Sequence, residues 1–375
     1  MRKPHDFDKL NIIHVTGTKG KGSTSALTQS ILKQYPANIR TGLFTSPHLI
    51  AMRERIRING EPISEELFAK YTQDVWERLE ATKAETLAQQ TTEDARELLR
   101  LTREHPDKPA YFRYLNLVAM HAFMQENVDV AILEVGVGGE YDSTNIIEKP
   151  VVCGITALGL DHVTVLGDTI DKIAWHKAGI IKPHVPVVAF EQAPEAMAVI
   201  EERAKEKNAP LTVLHAKDIK RLAGVKVGLA GVHQQYNALT AIELCRTWME
   251  RCRGVKLTEA VPEEFKAGLE KVVWPGRGQR LDMRDTRLSD KVNNVSWFLD
   301  GAHTAESLRV CANWFEETVK KDDASRILMF NCTNGRDGPR LLDVIASIQP
   351  QVNFEHVIFT TNVTYRKGYT AGKLS

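Results

Sequence analysis

Short runs of β-branched and aromatic residues recur along the chain and alternate with longer amphipathic segments. The runs are NIIHV, TGLF, VAILEV, VVCGIT and VPVVAF in the part up to Phe190, followed later by VSWFLD, RILMF and HVIFTT. Buried parallel strands have this nearly continuous apolar character, and amphipathic segments between them predict helices that cover a sheet. The pattern therefore predicts an α/β fold built on parallel sheets.

The chain has 375 residues, which exceeds the size of one ordinary compact core and predicts two domains. Proline and glycine interrupt the strand pattern in the segment VVWPGRGQRLD, after which a new series of strands begins. We expect a first domain over residues 1–272, a linker over 273–280 and a smaller domain over 281–375. The final segment, TTNVTYRKGYTAGKLS, does not resemble a finished last element, so we expect the second domain to be incomplete.

The composition narrows the function classes. A formal net charge of +1 gives no general attraction to nucleic acid or to an anionic membrane, and no apolar run approaches the roughly 18 residues of a membrane span. Five scattered cysteines without C-x-x-C spacing predict a reducing compartment and no zinc site. We expect a monomer in the cytoplasm, with no nucleic-acid partner and no transmembrane segment, and a mitochondrial form stays open.

The segment HVTGTKGKGST follows the first predicted strand and precedes a predicted helix. Glycines in such a turn allow backbone N–H groups and the positive end of a helix dipole to surround one anion. Lys21 is then placed to reach terminal phosphates, and Ser23 or Thr24 offers a hydroxyl to phosphate or metal. A flexible turn is the alternative, although Lys19 and Lys21 among glycines are hard to explain by packing. The spacing is shorter than in the usual P-loop, because only two residues separate Gly17 from Gly20 instead of four.

Charged side chains follow two other predicted strands. Glu134 ends the strand VAILE and is followed by glycines, which suits a magnesium ligand beside a phosphate loop but equally suits a solvated or paired carboxylate. Asp161 and His162 follow the strand VVCGIT, and His162 is either a metal ligand or a structural histidine. Lys177 lies in the apolar helical stretch IAWHKAGII, so its amine either reaches solvent or is chemically altered.

Two further segments complete this survey. Arg53, Arg55 and Arg57 alternate with other residues after the segment SPHL, and they form either a solvated strand face or a basic edge for an anionic substrate. Leucine, tyrosine and valine recur every fourth residue after Ser64, which predicts a capped surface helix between Ser64 and Ala88. The charged segment TTEDARELLRLTREHPDKP predicts another helix and an exposed connection.

Taken together, these segments resemble the folylpolyglutamate synthases, which belong to the Mur ligase superfamily, and the stretch from Tyr141 to Ile180 is most similar to the eukaryotic branch. The resemblance is carried in order by HVTGTKGKGST, TSPHL, RERIRING, LEVGVGGEYDSTNII, LGLDHVTVLGDTIDKIAWHKAGI, GVHQQYNA, WPGRGQR and LDGAHTAES. It implies a P-loop parallel-sheet domain of the Mur ligase central type followed by a smaller Rossmann-like domain. The family usually has longer ends than this chain.

The resemblance also implies roles for individual residues. The superfamily loop G-T-x-G-K-[GTS]-[ST] matches Gly17, Thr18, Lys19, Gly20, Lys21, Gly22 and Ser23, and the same comparison assigns Ser46, Glu134 and His162 to magnesium. Lys177 matches a lysine that the family carries as a carbamate. Substrate positions correspond to Pro47, His48, Tyr141, Asp142 and Ser143; further ATP contacts correspond to Gln234, Asn237, Arg277 and Asp300; His303 corresponds to a residue near phosphate transfer.

The implied reaction is the ATP-dependent addition of L-glutamate, in γ-linkage, to reduced folates and folylpolyglutamates. An acyl phosphate forms first, and Lys21, Lys177 and His303 are the expected catalytic residues. ATP, Mg²⁺, a carbamate on Lys177 and a monovalent cation are the expected cofactors. Two alternatives stay open, a dihydrofolate synthase and an inactive homologue that binds ATP or folate. A generic P-loop kinase or GTPase would leave SPHL, DGAH and Lys177 unexplained.

Overall fold

An eight-stranded sheet forms the centre of the first part of the chain. Its strands are β1 (Ile13–Thr16), β2 (Thr41–Phe44), β3 (Ile56–Ile58), β4 (Glu61–Pro62), β5 (Val130–Glu134), β6 (Val152–Ile155), β7 (Val187–Phe190) and β8 (Leu211–Leu214). They lie in the order β4-β3-β2-β5-β1-β6-β7-β8. All neighbours from β2 to β8 pair in parallel, whereas β3 and β4 extend one edge in antiparallel pairing. The predicted parallel sheet is confirmed; β4 and β8 were not predicted, and β3 corresponds to part of the strand that the sequence offered as one alternative for the arginine segment.

The computed structural model describes residues 4–82, 108–258, 260–287, 289–291, 294–320, 324–332 and 337–360. It divides into two compact units, one formed by Met1–Gly228 and Val232–Val273, the other by Leu229–Gly231 and Trp274–Ser375. The helix expected in the charged segment after Gln90 lies outside the described residues. None of the helices in the described ranges has the length and apolar character needed to cross a bilayer.

Eight helices are described in the first unit. They are α1 (Lys21–Gln34), α2 (Glu65–Ala81), α3 (Tyr111–Gln125), the single turn α4 (Val163–Leu166), α5 (Ile170–Ala178), α6 (Pro194–Glu206), α7 (His233–Arg253) and α8 (Glu263–Lys271). The helix predicted after Ser64 is confirmed as far as Ala81, because the Ser64 side chain accepts a hydrogen bond from the Leu67 amide and caps α2. Tyr71 and Val75 on its predicted apolar stripe are buried.

Two hydrophobic clusters surround the sheet. One contains side chains of α2 and α3, such as Tyr71 and Phe123, together with Phe44 and Leu133 of the strands. The other contains strand residues of β6 and β7 together with Ala178 and Ile200 of the helices. These clusters explain why the strand sequences are almost entirely apolar, since both faces of a parallel sheet are covered.

The second unit is a smaller α/β arrangement. Its strands are β9 (Gln279–Asp282) and β10 (Ser296–Leu299), which pair antiparallel, and β11 (Arg326–Phe330) and β12 (Phe354–Phe359), which pair in parallel. Its helices are α9 (Ala305–Val319), α10 (Gly338–Ala346) and the single turn α11 (Gln349–Val352). Leu308, Leu341, Val344 and Ile345 form a small core against which Leu328 and Phe330 pack. Three of these strands were predicted from the sequence; β9 was not.

Substitution of Gly268 by alanine tests the packing of α8 against α1. A Cβ atom at Gly268 would lie 2.4 Å from the Cα atom of Ile31, so backbone must move. We expect Gly268→Ala to lower the free energy of unfolding in urea by about 1–3 kcal/mol, because overpacking strains a close-packed core. Gly159→Ala is the matched control, since no atom lies within 4 Å of its added Cβ. Equal stability of the two variants would contradict this packing.

Candidate functional site

The loop after β1 has a backbone that admits little except glycine at two positions. Gly17 has φ 151° and Gly20 has φ 85°. A Cβ atom would lie 1.9 Å from Thr156 Oγ1 at the first position and 2.3 Å from Asn237 Oδ1 at the second. Gly20 is also the N-cap of α1 and supplies no side-chain hydrogen bond to the first turn. The N–H groups of that turn are therefore left for a bound anion, which the helix dipole also favours.

Residues that follow β6 hold this loop in place. The amides of Thr18 and Lys19 both donate to the Ala157 carbonyl, at 2.9 and 3.0 Å. The Thr18 hydroxyl donates to the Gly159 carbonyl and accepts from the Gly159 amide, at 3.0 and 3.1 Å. Thr156 Oγ1 donates to the Lys19 carbonyl at 2.7 Å. The loop is thus shaped before any ligand binds, as a preorganised anion site requires.

Lys177 approaches the same loop from α5. Its side chain is 4% exposed, and its ammonium donates to the Gly17 carbonyl at 2.7 Å. Burial, and next the nearby Lys21 ammonium, lower the pKa of Lys177 to about 7, against the opposing effect of Asp161 and Asp142. The sequence alternative in which this amine reaches solvent is therefore wrong. A pocket here is lined by Gly17, Thr18, Lys21, Gly136, Val137, Gly138, Asp161, His162, Leu166 and Lys177.

Of the three predicted magnesium ligands, His162 lines this pocket, and Ser46 and Glu134 lie together outside its lining. Glu134 ends β5, is 4% exposed and accepts a hydrogen bond from the Ser46 amide at 3.0 Å. His162 lines the pocket, has φ 51° and lies with its Nε2 atom 3.9 Å from Asp161 Oδ2. Within the described ranges, no three His, Cys, Asp or Glu side chains gather into a metal-binding cluster. Ser46 and Glu134 are thus brought together, and His162 lies beside Lys177.

The predicted substrate loop after β2 is folded onto its own backbone. Glu54 accepts from the amides of Leu49, Ile50 and Ala51, at 2.9, 3.0 and 2.7 Å. Burial and the neighbouring Arg55 guanidinium lower the pKa of His48, which accepts from Arg55 Nε at 2.9 Å. The peptide bond between Ser46 and Pro47 is cis.

The expectation of a strand carrying the arginines holds only for β3. Residues Met52–Arg55 form a 3-10 helix, and β3 begins at Ile56. Arg55 is buried and contacts His48, so the solvated strand face is wrong for this residue. The alternation was misleading because a turn of 3-10 helix before a strand breaks the two-residue period.

The second predicted substrate segment lies after β5. The Asp142 carboxylate accepts four hydrogen bonds from its neighbours: from the amides of Gly136 and Val137 and from both the amide and hydroxyl of Thr144. Tyr141 is 76% exposed, with its ring centroid 6.3 Å from that of Trp175 and 5.8 Å from that of His176. The Ser143 carbonyl accepts from Asn116 Nδ2 at 2.9 Å.

The residues expected on the adenine side lie at the start of α7. Gln234 and Asn237 are buried; Gln234 Nε2 donates to Ser23 Oγ at 3.4 Å, and Asn237 Nδ2 donates to Gln234 Oε1 at 2.9 Å. Since Asn237 also lies against Gly20, this pair braces the first turn of α1. The side chains thus support the phosphate loop, which the sequence did not predict.

The remaining predicted residues lie together in the second unit. Asp300 accepts from the amides of Gly278 and Ala302, at 2.7 and 2.8 Å. Arg277 donates to the Gly276 carbonyl at 2.9 Å, and His303 Nδ1 lies 3.0 Å from the Gly301 carbonyl. Asp300 therefore anchors the turn that carries Arg277 to the end of β10.

Sequence reasoning missed two polar residues buried behind the pocket. His14 lies inside β1 with no exposed surface, and its Nε2 atom lies 2.8 Å from Thr144 Oγ1. Thr16 Oγ1 donates to the Gly138 carbonyl at 2.7 Å and ties β1 to the same loop. A signal was available, because a histidine within the apolar run NIIHV needs a partner when it is buried.

Comparison with known proteins places the chain among relatives of one kind. It is 45% identical over 381 residues to a folylpolyglutamate synthase of Saccharomyces cerevisiae, covering 99% of this chain and 65% of that protein. A Thermotoga maritima folylpolyglutamate synthase structure matches with TM-score 0.69 and 28% identity over 94% of this chain and 76% of its own. A structure of a folylpolyglutamate synthase complex with AMPPCP and folate matches with TM-score 0.69 and 25% identity, covering 96% and 90%.

These comparisons confirm both the α/β fold class and the resemblance inferred from the sequence. No protein-family model matches the chain. The chain spans 65% of the length of the yeast relative that it matches.

The lowered pKa of Lys177 predicts a pH-dependent stability. The folded pKa of about 7 lies below the reference value of 10.5, so between these values the unfolded chain binds more protons and stability rises with pH. Relative to Lys177→Met, the unfolding free energy of the unaltered chain should rise by about 2 kcal/mol from about pH 7 to about pH 9. Urea unfolding in CO₂-free buffer measures this difference. A constant difference between the two proteins would contradict the lowered pKa.

Proposed function

We propose that the chain, which is similar to the folylpolyglutamate synthases, acts as an ATP-dependent ligase that adds L-glutamate in γ-linkage to tetrahydrofolate and folylpolyglutamates. The observation that carries this proposal is the buried Lys177 amine against the carbonyl of Gly17 in a short glycine loop. A loop that only binds phosphate has no need of a buried lysine in addition to Lys21. The yeast relative's name and the AMPPCP–folate complex of a structural neighbour support the same reaction.

ATP phosphates are proposed to bind at the loop from Gly17 to Ser23. The uncapped first turn of α1 offers backbone donors, and Lys21 is positioned to add a positive charge beside them. Gln234 and Asn237 contribute by holding this turn through Ser23 and Gly20. Arg277, Asp300 and His303 are assigned to ATP and to phosphate transfer on the resemblance alone.

The donor chemistry around Glu134 fits magnesium. A buried carboxylate at the end of a parallel strand beside a phosphate loop supplies the hard oxygen ligand that Mg²⁺ prefers, and Ser46 lies next to it. We assign Ser46, Glu134 and His162 to this role. Bound magnesium would neutralise charge on the phosphate oxygens.

The reaction follows from the poor reactivity of a carboxylate toward an amine. An oxygen of the folate's terminal γ-carboxylate attacks the γ-phosphorus of ATP, and the bond to ADP breaks, giving an acyl phosphate. The amine of L-glutamate then attacks the acyl carbon, phosphate leaves and the amine loses a proton. Lys21 and the loop amides stabilise negative charge on the phosphates throughout. The loop after β2 and residues Tyr141 to Ser143 are the proposed folate side.

Lys177 is proposed to react with CO₂. Its neutral amine forms a bond to the carbon of CO₂ and loses a proton, which gives a carbamate. Two features favour this: the lowered pKa makes neutral amine available near neutral pH, and the change replaces a cation beside Lys21 with an anion. A monomeric state, a cytoplasmic location and a monovalent cation complete the proposal and follow from the resemblance alone.

Mass spectrometry of folate products tests the ligase. After incubation with Mg-ATP, L-glutamate and tetrahydrofolate, we expect products lengthened by successive glutamate residues and an equal amount of ADP for each addition. Lys21→Ala should reduce the rate by about a hundredfold or more, because one preorganised charge is lost. Glutamate transfer to dihydropteroate only would show a dihydrofolate synthase instead, and nucleotide binding without any product would show an inactive homologue.

Labelled bicarbonate tests the modification of Lys177. With ¹³C-bicarbonate we expect a carbamate signal in the ¹³C NMR spectrum of the unaltered chain, and no such signal in Lys177→Met. Removal of CO₂ should lower turnover of the unaltered chain, and its return should restore it. A spectrum identical for the two proteins would refute the carbamate without touching the ligase assignment.

A further inference from the structure

The connection from Gly136 to Asn145 forms one wall of the phosphate pocket. Gly136, Val137 and Gly138 line that pocket beside Lys177. The Glu140 amide donates to the His176 carbonyl at 2.7 Å, and a Cβ atom at Gly139 would lie 2.7 Å from the same carbonyl. The wall therefore packs directly on the helix that carries Lys177, and a displacement of the wall would change the pocket.

The Asp142 side chain holds the wall by accepting hydrogen bonds from its backbone amides. Its Oδ2 atom accepts from the amides of Gly136 and Val137, each at 3.1 Å. Its Oδ1 atom accepts from the amide of Thr144 at 2.9 Å and from its hydroxyl at 2.6 Å. Four hydrogen bonds thus join this one carboxylate to three residues of the wall, which uses about the number that a carboxylate commonly accepts.

The Thr144 hydroxyl fixes the protonation of His14. A hydroxyl has one proton, and Thr144 gives it to the Asp142 carboxylate, which can only accept. His14 Nε2, at 2.8 Å from the same oxygen, must therefore be the N–H donor. The hydrogen bonds therefore have one direction: His14 donates to Thr144, and Thr144 donates to Asp142.

Burying the polar pair His14 and Thr144 lowers the stability of the fold, so the pair calls for a functional explanation. His14 and Thr144 have no exposed surface, and His14 Nδ1 has no hydrogen-bond partner among the residues that the structure describes. Burial, with a smaller effect of Lys182, lowers the pKa of His14 to about 3, so the ring stays neutral and keeps its single proton. An apolar residue at this position of a central strand would avoid an unfilled buried acceptor.

We propose that His14 and Thr144 are positioning residues that, through Asp142, fix the Gly136–Val137 wall of the phosphate pocket. The inference gives Asp142 a positioning role, and the substrate contact that the resemblance implies for it stays a prediction. It rests on the proposed function for its importance to catalysis, but the fixed wall is a property of the chain itself and is measurable without folate.

Hydrogen exchange and nucleotide binding test the proposal. In His14→Leu and in Thr144→Val, we expect amides of residues 136–142 to exchange about tenfold faster and AMPPCP with Mg²⁺ to bind about tenfold more weakly. His14→Gln should restore both values to near the original, since the glutamine amide supplies an N–H at the position of Nε2. Thr144→Ser keeps the hydroxyl, so its amide exchange and AMPPCP binding should also be near the original values, in contrast to Thr144→Val.

The matched control is Thr240→Val in α7. Thr240 is also fully buried, but its hydroxyl donates only to the Tyr236 carbonyl within its own helix. In Thr240→Val, the amides of residues 136–142 should exchange at the same rate as in the unaltered chain. In the double variant His14→Leu with Thr144→Val, the wall amides should exchange no faster than in either single variant. Both substitutions interrupt the same series of hydrogen bonds.

Several results would overturn the inference. They are equal wall exchange in Thr144→Val and Thr240→Val, no recovery in His14→Gln relative to His14→Leu, or additive effects in the double variant. Faster exchange and weaker AMPPCP binding in a protein that makes no glutamylated product would support the inference while contradicting the ligase, so the two failures are distinguishable.

Discussion

The parallel pairing of β1 between β5 and β6 decides which parts of the chain meet at the pocket. Val15 lies level with Glu134 on one side and with Gly154 on the other. Carboxyl ends of parallel strands lie at one edge of a sheet, so the glycine loop, the wall after Glu134 and the segment from Thr156 to Asp161 converge there. The helix α5 then returns Lys177 to this edge, where it bonds to Gly17. A shift in this pairing would separate all of these groups.

The positively charged groups around the pocket favour a bound anion. The open first turn of α1 and Lys21 are both positive, and Lys177 is buried with its pKa lowered partly by that neighbouring charge. Asp161 lines the pocket and opposes this shift, and Asp142 opposes it less. The Asp142 oxygens accept from backbone amides of the pocket wall, so this carboxylate steadies the wall rather than neutralising the loop.

The sequence predicted the parallel sheet, the glycine loop and the capped helix after Ser64, because each depends on a local pattern of apolar residues, glycine or a capping side chain. It left open whether the Lys177 amine reaches solvent or is altered, and the structure shows that the residue is buried. The sequence did not predict β4 or β8, which are only two and four residues long and partly exposed. Nor did it show that Arg55 is buried against His48. The largest omission was the partnership of His14 with Thr144, since the two lie 130 residues apart and neither has a local pattern that names the other.

Side chains suited to ligand binding divide into those that face the pocket and those that shape it. Lys21, His162 and Lys177 line the pocket. Gln234 instead donates to Ser23, and Asp142 accepts from the wall after β5. The division has a physical reason. A phosphate site gains most from donors that need no rearrangement when charge arrives, and glycine-rich backbone has no side chain to hold its amides still. Buried polar groups behind the loop supply that rigidity, so a polar residue beside a glycine loop is as suited to building the site as to binding its ligand.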